Sequence, residues 1–241
     1  MMLRGLPSRR EHGMVLLFAL LLMLVAMIAG LAVARTGFAS IAGARYERER
    51  LLARAAAEAA LRDAERDIEG AGAPARAAMF APGATPGWPS GGCGQGGADR
   101  GLCPETDPPA WQGLDLAASA NPALASYGDV TGASMALGGL LPARAPAYLI
   151  ERLAAGAQPG ALYRITAIGF GARPSTLVVL QALYRKAVAP TGPAADPDAQ
   201  AAADDDGTGA SEQPQPAPLP AGRIGAREIV NWRALHAQAQ P

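Results

Sequence analysis

The chain has 241 residues, which is enough for one compact domain with extensions. Its 21 basic and 21 acidic residues give a formal net charge of zero, so the composition indicates neither a nucleic-acid-binding protein nor an acidic surface for a cationic ligand. Glycine (29) and proline (21) are abundant, whereas aromatic residues make up only 5%. This composition predicts a loop-rich domain with a small core.

The first 13 residues are a polar segment that contains three arginines and ends at Gly13. A polar leader that ends in glycine directly before an apolar run resembles the leader of type IV prepilins. In those proteins the prepilin peptidase cuts after the glycine on the cytoplasmic face, and the apolar helix stays on the mature protein. The resemblance implies a leader peptide over residues 1–13 and processing between Gly13 and Met14.

Residues 14–34 form an apolar run with no charge and no proline. A helix of this length spans roughly 31 Å, which matches a hydrocarbon core of about 30 Å. The run therefore predicts a transmembrane helix. The resemblance to prepilins makes the same segment the assembly helix, in which Phe18, Leu21, Leu24 and Ile28 pack with other subunits.

A secretory signal peptide is the alternative interpretation of the same residues. Ala32, Val33 and Ala34 precede Arg35 as an A-x-A-like cleavage site, and cleavage there would release a periplasmic binding protein. The apolar run is longer than the roughly 7–15 residues of a signal-peptide core, and helical sequence continues past Arg35. Both features favour a helix that is retained.

Residues 35–69 continue as an amphipathic helix that enters the head. Apolar residues recur at roughly helical spacing at Leu51, Leu52, Ala55, Ala59, Leu61 and Ile68. Gly37 and Gly43 each weaken a helix by about 1 kcal/mol relative to alanine, so we expect a kink or a melted turn there. The Gly/Ala/Pro segment at residues 70–74 ends the helix.

The block AAAEAALRDAE, residues 55–65, lies about forty residues after Gly13. It is similar to the N-terminal region of the PilX family of type IV pilus assembly proteins, and residues 13–69 fit that family in order and spacing. The resemblance implies an α+β, type IV pilin-like fold, with a long N-terminal hydrophobic helix packed on a small antiparallel β-sheet head. It also implies a single-pass inner-membrane protein whose head lies in the periplasm and which then joins the pilus at the cell surface.

The fifth residue after the predicted cleavage site is Phe18. Most pilins carry a glutamate there, which is thought to neutralise the N-terminal amine of a neighbouring subunit. Residues 14–34 contain no carboxylate, a gap that the resemblance implies is shared by PilX-like minor pilins and by the K-like minor pseudopilins of type II secretion. Such a subunit suits the leading end of a fibre. K-like pseudopilins usually carry a much larger inserted domain, which a chain of 241 residues does not allow. They therefore stay the alternative interpretation.

Residues 70–186 are expected to form a loop-rich β head with a disulfide. Cys93 and Cys103 follow the membrane segment, and such a pair in an exported domain most often forms a disulfide. The segment Gly-Leu-Cys-Pro at 101–104 is similar to that around a cysteine of PilX-like heads, and Trp88 and Trp111 are expected to anchor the loops.

Residues 92–97 satisfy the pattern G-x-G-x-x-G, but the pattern follows no predicted strand and opens no helix, so dinucleotide binding is dismissed. The C-x9-C spacing is also a weak zinc pattern, because the only histidines are His12 and His236.

Three runs rich in β-forming residues follow, at 147–153, 162–168 and 176–185, separated by Gly/Pro turns. They predict an antiparallel meander of three strands. One face is expected to bury five residues against the amphipathic half of the long helix. These are Tyr163, Ile165, Val178, Leu180 and Tyr184. The second and third runs also resemble the C-terminal strands of PilX-like proteins.

Residues 187–220 are expected to be a flexible linker, because they have too few apolar side chains to offset the entropy of ordering. Its acidic run at 204–206 lacks the spacing of a calcium loop. In the C-terminal segment, 221–241, residues 222–233 regain apolar character and are predicted to add an edge strand with Trp232 packed on the sheet.

The sequence contains no catalytic constellation, and Glu65 and Glu69 are interpreted as carboxylates of a solvated helix face. We therefore expect no enzyme activity, no cofactor, no metal and no nucleic-acid partner. The resemblance implies a minor pilin that helps initiate pilus assembly at the fibre tip. Its expected partners are the prepilin peptidase, the other minor pilins, the major pilin and a tip adhesin.

Overall fold

The structure is a computed structural model that describes residues 12–81, 87–135, 141–154, 160–187 and 220–240, with only the backbone described at 12, 13 and 36–39. Residues 1–11 of the expected leader and most of the expected linker, including its acidic run at 204–206, lie outside the described residues. The chain divides into two compact units, residues 1–48 and 49–241.

The first unit is helical throughout its described part. It belongs to helix α1, which extends over His12–Ile68. The backbone remains helical at Gly37 and Gly43, so the melted turn expected there is not seen in the described backbone. Good helix formers such as alanine and leucine surround the two glycines. Their helix propensity outweighs the cost of about 1 kcal/mol for each glycine.

In its described residues, the second unit contains the end of α1, two short α-helices, one 3-10 helix and six strands. Helix α1 ends where Gly70 adopts a positive φ of 95°, and the Gly70 and Ala71 amides donate to the carbonyls of Asp67 and Arg66, as in a helix C-cap. The remaining elements are α2 (Pro74–Met79), β1 (Leu102–Cys103), a 3-10 helix (Ala110–Gly113), β2 (Ala125–Ser126), β3 (Ala147–Leu153), β4 (Ala161–Phe170), β5 (Leu177–Lys186), β6 (Gly222–Glu228) and α3 (Trp232–Ala239).

The strands form one sheet in the order β1-β3-β4-β5-β6, and β2 also pairs with β3. The three predicted central strands and their antiparallel meander are confirmed. Strand β6 pairs antiparallel with β5 as the predicted edge strand. Strand β1 pairs with β3 in parallel, so the sheet is mixed and mostly antiparallel. A two-residue strand carries too little sequence pattern to be recognised in advance.

The inner face of the sheet packs on residues 49–68 of α1. All five residues predicted for this face are buried in one cluster with the helix. The predicted helix stripe was partly wrong, because Leu51 is 66% exposed and Ala55 is exposed. The buried stripe is instead rich in alanine and consists of Ala53, Ala56, Ala57, Ala60, Leu61, Ala64 and Ile68. Small side chains allow the helix and sheet backbones to approach closely.

The outer face of the sheet is covered by loops and by α3. A second buried cluster joins Leu149, Ile168 and Val179 of the sheet to Trp111 and Trp232. Trp111 and Trp232 are therefore anchors, as predicted, although Trp232 begins a helix that the sequence interpretation did not include. The central part of the sheet is thus buried on both faces.

Candidate assembly interface

The apolar run at 14–34 is a fully exposed helical surface. Phe18, Leu21, Leu24 and Ile28 are 58, 48, 50 and 61% exposed. At 100° per residue these four side chains lie within about 120° of one another around the helix. The helix that carries them is long and apolar enough to cross a membrane, by length and composition alone. An exposed apolar surface of this size is typical of a segment that contacts lipid or other protein chains.

The predicted processing site lies at the start of this helix. Helix α1 begins at His12, so the backbone of Gly13 and Met14 belongs to its first turn. The side chain of Met14 is 66% exposed. Nothing in the geometry distinguishes a cleaved from an uncleaved chain, and processing after Gly13 remains a prediction.

In the second unit, α1 carries a buried carboxylate that fastens the disulfide loop. Arg76 of α2 is 2% exposed, and its Nη2 lies 2.6 Å from Asp67 Oδ2. Its Nη1 donates to the carbonyls of Ala98 and Arg100 at 2.9 and 2.8 Å. The Tyr148 hydroxyl donates to the same carboxylate. Burial, and then the negative charge of Asp67, raise the pKa of Tyr148 above its ordinary value.

A second buried carboxylate lies one turn earlier on α1. Asp63 accepts hydrogen bonds from the Gly128 amide at 2.8 Å, from the Thr131 hydroxyl and from Arg66 Nη2 at 2.9 Å. It therefore holds the loop that follows β2. Two carboxylates of one helix thus fix two loops that are distant in sequence.

The sequence interpretation missed Asp63 and Asp67, although a signal was present. With Ala60 and Ala64 they occupy positions i, i+3, i+4 and i+7, which is the spacing of one buried helix face. Acidic residues are usually assigned to a solvated face. Apart from Arg66, their partners come from other elements: Asp63 binds the loop after β2, and Asp67 binds α2 and β3. Periodicity alone therefore could not show that their charges are compensated.

The interpretation of Glu65 and Glu69 as merely solvated carboxylates was wrong. Glu65 Oε1 accepts from Arg223 Nε of β6 at 2.6 Å, and Glu69 Oε1 accepts from the Tyr184 hydroxyl of β5 at 2.7 Å. Burial, with this hydrogen bond to Glu69, raises the pKa of Tyr184. Both partners lie more than a hundred residues along the chain, beyond the reach of local pattern.

The disulfide between Cys93 and Cys103 is present, which confirms the sequence prediction. The loop that it closes is also stabilised by hydrogen bonds. The amide of Gly94 donates to the carbonyl of Leu102 at 2.8 Å, and Trp88 Nε1 donates to the carbonyl of Cys103 at 3.0 Å. The Trp88 ring packs on Phe80 and Tyr163, which makes Trp88 the predicted anchor.

The histidine, the cysteines and the buried glutamate that could carry catalysis or bind a metal make contacts within the head instead. His236 Nδ1 lies 2.6 Å from the Gln112 carbonyl oxygen, and both cysteines are oxidised. Glu151 is fully buried, accepts from the Ala110 amide at 2.8 Å, and lies 3.4 Å from Arg164 Nη1. Burial raises the pKa of Glu151, and Arg164 opposes this change. Within the described ranges, no group of three His, Cys, Asp or Glu side chains is placed to hold a metal ion.

Comparison with known proteins gives one match. Residues 82–186 match the family model described as Type IV pilus assembly protein PilX C-term. No curated protein and no solved structure matches the chain. The matched region contains the disulfide and strands β1 to β5, whereas α1 and β6 lie outside it. Residues 82–186 therefore resemble the C-terminal region of the PilX family of type IV pilus assembly proteins.

Proposed function

We propose that this protein is a minor pilin that helps initiate assembly of a type IV pilus and occupies the leading end of the fibre. The single observation that carries the proposal is the exposed apolar segment 14–34, which has Phe18 at the fifth position and no carboxylate. The match of residues 82–186 to the PilX family model supports a role in pilus assembly. The position at the tip and the partners are our inference.

The N-terminal amine of the neighbouring subunit gives the physical reason for this position. An ammonium group in an apolar environment costs several kcal/mol unless an opposite charge is close. A shaft subunit provides that charge to the subunit ahead of it. A subunit with Phe18 has none to provide, so its favourable position is the one with no subunit ahead. There it would contact other minor pilins, the first major pilin and a tip adhesin.

Retention of the apolar helix is tested by the mature N-terminus. The proposal expects the prepilin peptidase to cut after Gly13 and the mature chain in the inner membrane to begin with an N-methylated Met14, its head in the periplasm. Mass spectrometry of the chain purified from membranes or from sheared pili measures this directly. A mature chain that begins at Arg35 would show a cleaved signal peptide and end the proposal.

The position in the fibre is tested by a single substitution. Phe18→Glu supplies the missing carboxylate, and we expect the variant to enter the shaft. Immunogold labelling of sheared pili should then show label along the fibre, whereas wild type and the matched control Phe18→Leu label only one end. Wild-type label distributed along the shaft would contradict the tip position.

The role in initiation requires a separate measurement. Deletion of the gene should strongly reduce surface pili and twitching motility, and the wild-type gene should restore both. Normal piliation in the deletion strain would exclude a role in assembly, even for a chain whose mature N-terminus is Met14.

A further inference from the structure

A cavity of about 520 Å³ lies on the outer side of the sheet in the second unit. Much of its lining is apolar and includes Leu116, Leu124, Ile168 and Phe170. Two arginines, Arg100 and Arg144, complete it, and none of the described residues that line it is acidic. The cavity therefore combines a local positive charge with an apolar wall.

The guanidinium group of Arg144 is fixed in place. Its Nη1 and Nη2 donate to the carbonyls of Ala118 and Ala117 at 2.6 and 2.9 Å. Its carbon Cζ lies 3.9 Å from the centroid of the Phe170 ring, a cation–π contact. Because these contacts set the orientation in advance, a ligand of this group would lose little of its binding free energy to ordering it.

Each Nη of Arg144 carries a second N–H group besides the one that donates to a carbonyl, so the guanidinium group keeps donors for a ligand. The Nε atoms of Arg144 and of Arg100 are buried, and neither has a hydrogen-bond acceptor among the described residues. A buried donor without an acceptor is costly, so such groups normally have a partner. Here both buried Nε atoms belong to arginines that line one cavity. Arg100 lies in the disulfide loop, and Arg144 lies in the segment before β3.

We propose that this cavity binds a carboxylate carried on a short aliphatic body. A planar carboxylate accepts from guanidinium N–H groups with good geometry, its negative charge compensates the two arginines, and the apolar wall contacts the aliphatic part. The carboxylate belongs either to a small organic acid or to an acidic side chain of another subunit. This binding site does not depend on the position of the protein in the fibre, so either proposal can fail alone.

Calorimetric titration of the full chain in detergent micelles tests the chemistry. The probes are glutarate and its neutral analogue glutaramide, and the peptide acetyl-Ala-Glu-Ala-amide with its glutamine counterpart. We expect saturable binding of at least one carboxylate probe, at least about tenfold tighter than its neutral analogue and weaker at high salt. Tighter binding of the acidic peptide identifies a subunit as the source, and binding of glutarate alone identifies a small acid.

Substitutions test the site. Arg100→Gln, and Arg144→Lys, which retains the charge but lacks the planar guanidinium group, should each weaken binding at least about tenfold. Arg62→Gln, an exposed arginine on α1, is the matched control and should leave affinity unchanged. If Arg144→Lys fails to fold by circular dichroism, Arg100→Gln decides alone. Equal affinity for charged and neutral probes, no saturable heat from any probe, or unchanged binding in Arg100→Gln overturns the proposal.

Discussion

In the second unit, Gly169 of β4 lies directly against the backbone of α1. A Cβ atom at this position would lie 2.1 Å from the Ala53 carbonyl oxygen and 2.2 Å from the Ala57 nitrogen. Both are backbone atoms, so neither can rotate away. The alanine stripe of α1 and this glycine together set the distance between helix and sheet.

We expect Gly169→Ala to lower the free energy of unfolding by about 1–3 kcal/mol, because the added methyl group forces the helix from the sheet. Urea denaturation of the full chain in detergent micelles, followed by tryptophan fluorescence, measures the change. Gly225→Ala on β6 is the matched control, since its added Cβ meets no atom within 4 Å, and its effect should be much smaller. Equal effects at both positions would contradict the close approach.

Asp67 accepts hydrogen bonds from both Arg76 and Tyr148 in the interior of the head. Asp67→Asn leaves the Arg76 guanidinium buried without its counter-charge, so we expect a loss of about 3–5 kcal/mol in the free energy of unfolding. The control is Glu58→Gln, which removes a partly exposed ion pair with Arg223 and should cost less than about 1 kcal/mol. The same denaturation experiment compares the two, and similar losses would refute a dominant role for Asp67.

At the scale of elements, the disulfide loop joins three parts of the head. It continues into β1, its carbonyls receive Arg76 of α2, and Trp88 donates to Cys103. Strand β1 is only two residues long and pairs with β3 in parallel. A pairing this short needs the covalent link and the arginine to hold its register.

The double substitution of Cys93 and Cys103 by serine should therefore lower the free energy of unfolding by about 2–3 kcal/mol, according to the chain-entropy estimate for a short loop. Tryptophan fluorescence of the folded double variant, compared with wild type, should also show a more exposed Trp88. Treating the wild-type chain with a reductant is the control, and it should reproduce the loss. Unchanged stability would show that Arg76 alone holds the loop.

At the scale of the whole molecule, buried ionisable groups make the stability of the head depend on pH. The pKa of Glu151 is higher in the folded than in the unfolded chain, because burial penalises its charged form. Its protonated form is thus favoured by folding. The corresponding stabilisation is fully present below the unfolded pKa of about 4.3 and is lost as pH rises through the folded value.

We therefore expect Glu151→Gln to change the pH dependence. The free energy of unfolding of the variant, relative to wild type, should rise as the pH increases above about 4.3, since glutamine does not ionise. Denaturation curves of the full chain in micelles between acidic and neutral pH measure this difference. The substitution of an exposed carboxylate, Asp129→Asn, is the matched control. A difference that falls with pH would contradict the raised pKa.

Local pattern predicted much of this fold. The apolar run, the strands at 147–153 and 176–185, and the five inward-facing sheet residues follow from periodicity, because helices and strands place side chains at fixed intervals. The disulfide followed from the export context of the two cysteines. The alanine stripe was missed because hydrophobic patterning favours large residues, whereas this contact needs small ones.

The sequence alone determined that this chain has an exposed apolar helix without a carboxylate at Phe18, since charge and helix length are properties of residues 14–34 themselves. Only the tertiary structure decided which charges are buried. Asp63, Asp67 and the Arg144 guanidinium each have a partner in a segment distant along the chain, namely Gly128, Tyr148 and Ala118. A buried charge is stable only where folding places a counter-charge or hydrogen-bond partners next to it.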